Sequence, residues 1–445
     1  MNNLHFFYAN WFRSGCEWYS PYHQIAFELA TLVRQATTHR LLDYGLLHRA
    51  EDAYAKKPNV FSSAALGKLE YLRGNQNAAI DHLTAALNSK QHPEQQRAIK
   101  LLARLSPSDL INWSRRTGRQ RLSQCLQAAT VVDTKSVQEM PNATGDEHLL
   151  NANGQTSISE KVRHLNSYWL EMGLSRINES CLNEFLDINS LTALADQSRI
   201  SPASPCASVS IVVTVFNGEK YLRASVLSLL RQTDLDLQVV IIDDASTDST
   251  WEVITQLKKE YPHPLITRRL SSNVGTYAAK NIALDLCSKE YVAFQDADDW
   301  SHPERLKNAI KWLALDREHV AVTSRYVRLD QYGRFSSPGV WPLRQWSPNT
   351  LVMRRATVLN AVGKFDKVRT GADTDYFERI RATFGDRRIF FQKEVSLIAM
   401  SLPTSLMHSK STGLNEFGHS TDRISYRNLS AERLLRLANS QKRRI

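Results

Sequence analysis

From Ser208 onward the chain changes from a helical rhythm to a strict alternation of two patterns. Val209 to Val215 is an almost unbroken β-branched run, as expected of a parallel strand covered on both faces. Leu222, Val226, Leu229 and Leu230 then fall at helical spacing. Gln238 to Ile242 predicts a second strand, Trp251 to Leu257 a second helix and Leu265 to Arg269 a third strand. Ala278 to Leu286 predicts a third helix and Tyr291 to Phe294 a fourth strand. Strand and helix in turn predict a doubly wound α/β domain.

The preceding sequence reads differently. Residues 1–127 are expected to form a helical domain, because from residue 20 apolar positions recur at three and four residues with few β-branched runs. Ala65-Leu66-Gly67, Tyr71, Gly74, Ala79-Ile80, Leu83 and Ala86-Leu87 resemble a tetratricopeptide-like unit, and Tyr44, Ala50, Ala53-Tyr54 and Pro58 fit part of another. The period of 34 residues does not hold, so an ordinary helical bundle explains the pattern equally well. Residues 128–160 turn polar, with Pro141, Asn142, Gly145, Asn151, Asn153 and Gly154, and predict a linker. Helical patterns at Val162 to Leu174 and Leu182 to Leu194 fill a connector over residues 161–200, and Pro202 and Pro205 mark the break before a domain spanning 208–410. The tail, 411–445, has a net charge of +4 with Leu429, Leu434, Leu435 and Leu437 interspersed. It reads either as a basic amphipathic helix for an anionic lipid surface or as a terminal helix packed back on the protein.

Composition narrows the partners. With 445 residues, 42% of them hydrophobic and 23% charged, the chain is globular rather than disordered. A formal charge of +11 favours ligands that carry phosphate or other anions. Nucleic acid is not expected, since neither a zinc finger nor an RNP-like aromatic motif nor a dense basic block is present. Five scattered cysteines, Cys16, Cys125, Cys181, Cys206 and Cys287, argue against a disulfide framework and fit a reducing compartment. With no signal-like N-terminus and no membrane-spanning run, the expectation is a cytoplasmic protein, peripheral at the inner face of the plasma membrane if its acceptor is lipid-linked.

The candidate chemistry sits where strands end. Tyr291 to Trp300 (YVAFQDADDW) closes a short apolar strand with Asp296, Asp298 and Asp299. Hard divalent ions such as Mg²⁺ or Mn²⁺ take oxygen ligands and keep room for substrate phosphates, so this cluster suits a metal shared with a diphosphate. A second acidic strand end, VVIIDDASTD, supplies Asp243 and Asp244, with Ser246 or Asp248 as candidate helix cap. Thr214-Val215-Phe216-Asn217 leaves the first strand. In open α/β sheets, ligands bind beyond these carboxyl ends.

Five elements in order, SIVVTVFNGEKYLRASVLSLLRQT, VVIIDDASTDST, NVGTYAAKNIAL, FQDADD and NTLVMRRATVLNAVGKFDKVRTGADTDYFERI, resemble the inverting, nucleotide-sugar-dependent family 2 glycosyltransferases of the GT-A fold over about residues 208–408. The resemblance implies that Thr214, Phe216, Asn217, Asp243 and Asp244 hold the nucleotide, that Asp296 reaches the ribose, and that Lys280, where many relatives carry Arg, offers a point charge to phosphate. It implies Asp298 as metal ligand, completed by His408 or its competitor His419, and leaves Asp299 as a second ligand or a local cap. Asp373 falls at the position of the general base, with Asp375 as runner-up; either also reads as a first-turn helix acid. Trp341 and Trp346 are candidates for sugar stacking, against ordinary packing.

The function implied is transfer of a sugar, from a donor expected to be UDP-linked, to a glycan or lipid-linked saccharide in surface polysaccharide or glycoconjugate synthesis. Two other readings compete. One is an interaction scaffold, pairing with a protein or itself through the N-terminal helices, that carries an inactive transferase domain. The other is a metal-dependent phosphatase, for which Asp296-Ala297-Asp298 superficially fits, although it ends the fourth strand and Trp300 replaces the expected Thr or Val.

Overall fold

The chain divides into two units. The computed structural model describes residues 50–51, 54–55, 62–89, 92–130, 137–179, 186–195, 207–337, 340–402, 414–415, 418–419 and 421–442. One unit takes the described residues of 21–155, 336–343 and 402–445; the other takes those of 156–335 and 344–401.

The first unit is helical. Helix α1 (Ser63–Arg73) begins where Ser62 Oγ accepts from Ala65 N and ends at Gly74 in the left-handed region. It packs on α2 (Gln76–Ala86). Their approach depends on Gly67, because a Cβ there would lie 2.5 Å from Leu83 Cγ. Helices α3 (His92–Leu105), α4 (Pro107–Arg116) and α5 (Gln120–Thr130) follow at 14, 10 and 11 residues, and Leu83, Ala98, Leu102, Leu110 and Leu126 share one core with them. They do not repeat the first pair, and a tetratricopeptide repeat is not established.

The stretch expected to be a polar linker is not one throughout. Asp146–Asn153 forms α6, stabilised by Asp146 and Glu147 in its positive first turn. Of the polar residues that suggested a linker, Asn151 and Asn153 are buried. Asn151 bonds both the amide and the carbonyl of Met140, at 2.9 and 3.0 Å. Asp146 Oδ2 accepts from Leu343 N at 2.9 Å, and Glu147 pairs with Arg121 at 2.6 Å. Trp341 packs against the helical core, which is the apolar role rather than a sugar platform.

The second unit starts earlier than its first strand. Helices α7 (Ile158–Glu171) and α8 (Ile188–Leu194) belong to it; of the expected helix over 182–194, residues 182–185 lie outside the described residues. Then follow β1 (Ala207–Val215), α9 (Leu222–Leu230), β2 (Leu235–Asp243), α10 (Thr250–Glu260), β3 (Leu265–Arg269), α11 (Thr276–Leu286) and β4 (Tyr291–Asp296). After these come β5 (Asp299–Ser301), α12 (Arg305–Leu315), β6 (Ala321–Asp330), β7 (Phe335–Ser336), β8 (Gln345–Trp346), β9 (Val352–Arg354), α13 (Arg355–Val362), α14 (Ala372–Phe384) and β10 (Ile389–Ser401). The sheet order is β3-β2-β1-β4-β9-β6-β10-β5, with β7 and β8 on β6. Strands β1 to β4 are mutually parallel where they pair, as their continuous apolar runs predicted. Beyond β4 the sheet is mixed, because β9 runs antiparallel to both β4 and β6 and β5 runs antiparallel to β10. Val209, Ile211, Val213, Leu229, Ile241, Ile254 and Leu313 form the core beneath it.

The expected connector is part of this unit's packing. Trp169 Nε1 on α7 donates to Val395 O of β10 at 3.1 Å, and its ring stacks on Trp300 of β5 at 5.7 Å. Buried Lys161 donates to Gly333 O at 2.8 Å, and α8 is fixed by a reciprocal Asp187 and Ser190 capping box. In the tail, β11 (Leu414–Asn415) pairs with β12 (Gly418–His419) before α15 (Thr421–Lys442). Leu434 on α15 is buried while Leu429 is exposed, so the tail leucines do not share one lipid-facing side. Among the described residues no helix is long and apolar enough to cross a membrane.

His302, just after β5, is fully buried beside Trp169 and Trp300. Its Nδ1 accepts from Glu304 N, so Nε2 carries the proton and donates to Ser175 O at 3.0 Å. Burial pushes its pKa down to about 4. Between pH 6.5 and 4 the unfolded chain therefore binds the extra proton, and stability falls as pH falls through that window. The shift is worth about 3 kcal/mol. Across that interval the wild type should lose about 3 kcal/mol more than His302→Gln, read from urea midpoints. Parallel pH curves for the two proteins would contradict this account.

Candidate active site

Strand register brings the predicted residues to one rim. Thr214 stands beside Asp296 on one side and Ile242 on the other, and Val215 stands beside Asp243. The carboxyl ends of β2, β1 and β4 are thus neighbours, each delivering one of the motifs.

The β1 and β2 ends are tied together by their own side chains. Asn217, in the left-handed region at φ 53°, accepts from Thr247 N at 2.8 Å and gives its own amide to Ser246 Oγ at 2.9 Å. Its role is therefore first to lock two loops. Asp248, not Ser246, receives the first amide of α10, from Thr250 at 3.1 Å. Asp243 is buried, accepting from Ser246 N at 2.9 Å, with Arg269 Nε 3.2 Å from its other oxygen. Asp244 accepts from Val274 N at 2.7 Å and Gly275 N at 2.8 Å, so it fixes the loop at the start of α11. Gly275 holds φ +87°, which a side chain would strain. Phe216 and Val274, 50% and 40% exposed, are large apolar side chains left open at this rim. An exposed aromatic ring beside fixed carboxylates is suited to a flat heterocycle.

The β4 end is acidic and partly buried. Lys280, buried on α11, reaches Asp296 at 3.2 Å and Asn349 Oδ1 at 3.4 Å. Asp298 is half-buried; burial and the Asp296 charge push its carboxyl up to about 6, against the pull of Arg328. Asp299 is neither an open ligand nor a cap. It opens β5, is buried, and accepts from Asn349 Nδ2 at 3.1 Å. Burial, Asp296 and Asp298 drive it well above the usual carboxylate range, opposed by Arg328 and Arg305. Arg305 lies beneath, donating to Gln295 and Phe294 O at 3.2 and 3.0 Å. Asn349, Arg305 and Arg328 were not singled out from the sequence, because each arrives from a segment outside the acidic motif.

Asp296 and Asp298 fit a divalent ion in one respect: two mutually repelling carboxylates are relieved by a cation that takes its other ligands from phosphate and water. Among the described residues no three His, Cys, Asp or Glu side chains are grouped to hold an ion alone. His408 lies outside the described residues, and of His419 only the backbone is described, in β12.

Two anchors bring the segment leading to Asp373 toward this rim. Asn281 on α11 exchanges two hydrogen bonds with the backbone of Phe365, at 2.9 and 3.0 Å. Arg369 donates to Asn273 Oδ1 at 2.7 Å. Four residues after Arg369, Asp373 lies in the first turn of α14, half-buried, with Oδ1 accepting from Thr374 N. Asp375 is instead buried against Arg379 at 2.8 Å. Trp346 also packs inward, with its ring 4.7 Å from Phe377 and its Nε1 on Thr323.

Residues 210–377 match the family model described as Glycosyl transferase family 2. This segment belongs to that family. The family 2 segment thus contains every predicted site residue except His408. Among curated proteins the chain is 31% identical over 132 residues to the UDP-Glc:alpha-D-GlcNAc-diphosphoundecaprenol beta-1,3-glucosyltransferase WfaP of Escherichia coli, covering 29% of this chain and 51% of that protein. It is 32% identical over 113 residues to the poly(ribitol-phosphate) beta-glucosyltransferase of Bacillus spizizenii, covering 25% and 17%. The chain spans about half or less of the length of these relatives. Among solved structures, S. aureus TarS 1-349 aligns at 22% identity and TM-score 0.36 over 43% of this chain and 60% of that one.

The two α14 carboxylates should separate in a stability measurement. Asp375→Ala leaves Arg379 buried without its carboxylate partner and should cost about 3 kcal/mol of unfolding free energy. Asp373→Asn should change it by less than ~0.5 kcal/mol. Equal losses would show that Asp373 is also structural.

Proposed function

We propose that the protein is an inverting glycosyltransferase that moves a sugar from a UDP-sugar to a hydroxyl of a lipid-linked or polymeric saccharide acceptor. The observation that carries this reading is the convergence of the β1, β2 and β4 ends with the tethered segment leading to Asp373. The name of the Escherichia coli relative supports a lipid-linked saccharide acceptor and UDP as the nucleotide, and that of the Bacillus spizizenii relative supports a polymeric acceptor.

In this reading Phe216 stacks on the base, while Asp244 both fixes its loop and offers its remaining lone pairs to the base. Thr214 and Asp296 face the ribose, and Lys280 sets a positive charge beside Asp296. Asp298 would hold Mn²⁺ or Mg²⁺, with His408 a candidate further ligand. The ion would neutralise charge growing on the departing diphosphate. Asp373 takes the proton from the acceptor hydroxyl as its oxygen attacks the anomeric carbon. The bond to the diphosphate breaks on the opposite side, and the configuration inverts. A lipid-linked acceptor would place the reaction at the inner face of the plasma membrane.

Calorimetric titration of UDP-, GDP- and ADP-sugars with and without Mn²⁺ tests the donor and ion together. Asp298→Ala should abolish the Mn²⁺-dependent part of binding. Asp373→Asn should preserve binding but reduce transfer by ~10²-fold or more. Unchanged Mn²⁺-dependent binding in the first variant, or full transfer in the second, would reject the assigned role.

A further inference from the structure

Arg328 is a cation at this rim whose geometry the roles above leave unused. It lies on β6 directly beside Ala399 of β10, and Ala399 on its other side stands beside Asp299 of β5. Residues in direct cross-strand register share a face of the sheet. Ala399 between them carries only a methyl group, and the Arg328 charge acts on Asp298 and Asp299 across it.

The side chain is mostly buried and hydrogen-bonds Tyr326, which leaves the rest of its donor set open. Its Nε is buried and finds no hydrogen-bond partner among the described residues. The guanidinium lies 5.5 Å from the centroid of the Tyr326 ring. Burial works against its charge, but Tyr326, Asp299 and Asp298 keep the pKa raised. Arg305, on the same acidic cluster, also leaves its Nε unpartnered, but its terminal nitrogens donate to Gln295, Ser301, Phe294 O and Asn349 O, a framework role. A permanently charged planar donor set beside carboxylates, without a bidentate partner, is prepared for an anionic oxygen.

We infer that Arg328 contacts the distal phosphate of the nucleoside diphosphate and stabilises it as it departs. The inference rests on the glycosyltransferase reading and adds a residue to it. Lys280 and Asp296 mark the nucleoside side of the acidic cluster, on β4 and α11. Arg328 approaches from β6, so it meets the part of the donor beyond the first phosphate. Charge grows there as the sugar leaves, and a fixed guanidinium acts without reorganisation.

The test is calorimetric titration of UDP and UMP, each with Mn²⁺, into wild type, Arg328→Met and Arg328→Lys, with GDP and GMP in parallel. Arg328→Met should weaken the diphosphate by ~10- to 100-fold, as expected for a hydrogen bond to a charged group, and change the monophosphate by less than ~2-fold. Arg328→Lys should fall between, because it keeps the charge but loses the fork. It also decides the matter if the methionine variant does not fold: selective weakening of the diphosphate supports the inference. Equal weakening of both nucleotides, or unchanged diphosphate affinity, overturns it. Wild-type protein that binds none of these nucleotides overturns the glycosyltransferase reading, and this inference with it; wild-type binding with unaltered variants overturns this inference alone.

Discussion

Three carboxylates within four residues cannot all remain charged in a half-dry site without cations close by. Asp296, Asp298 and Asp299 are in that position, and mutual repulsion and burial raise the latter two. The fold answers with positive side chains from separate elements: Lys280 from α11, Arg305 from α12 and Arg328 from β6. Formally the three cations match the three carboxylates, yet burial and neighbouring carboxylates still hold Asp298 and Asp299 raised, and the demand for a cation in direct contact with this turn is the basis of the proposed donor site.

That demand explains features that look unrelated. Strand β5 is only three residues long, but it places Asp299 inside the sheet and Trp300 under α7. Trp169 then bonds to β10, the strand against which β5 pairs. The helical segment before β1 therefore buttresses the acidic turn from behind. At the opposite side of the rim, the carboxylates of Asp243 and Asp244 hold backbone amides rather than projecting freely. They make the loops rigid enough to present Phe216 and Val274. Preorganisation, rather than a long inventory of ligand contacts, is what these residues contribute.

The parallel half of the fold was legible because its strands are covered on both faces and hence continuously apolar. Its acidic ends were legible because carboxylates interrupt that pattern abruptly. The mixed half was less so. Strands β5, β8 and β9 are two or three residues long, too short for a period to show. Helix α6 was missed because Asn151 and Asp146 are polar but buried, serving the backbones of Met140 and Leu343. Composition registers polarity and says nothing of its partners. The same limit hid Asn349, Arg305 and Arg328, which meet the acidic turn only through folding. It also left Asp375 standing as runner-up to Asp373 in sequence, whereas the Arg379 pair now distinguishes them.

The account's central claim is that one rim of the sheet holds both the nucleotide and a cation. Its most direct test is anomalous diffraction from crystals grown with Mn²⁺ and UDP. The account predicts a manganese peak against Asp298, bridging to the diphosphate, with the base against Phe216 and Asp373 facing the open side of the distal phosphate. A nucleotide bound away from the β1, β2 and β4 ends, or manganese bound without contact to the Asp296 to Asp298 turn, would contradict it.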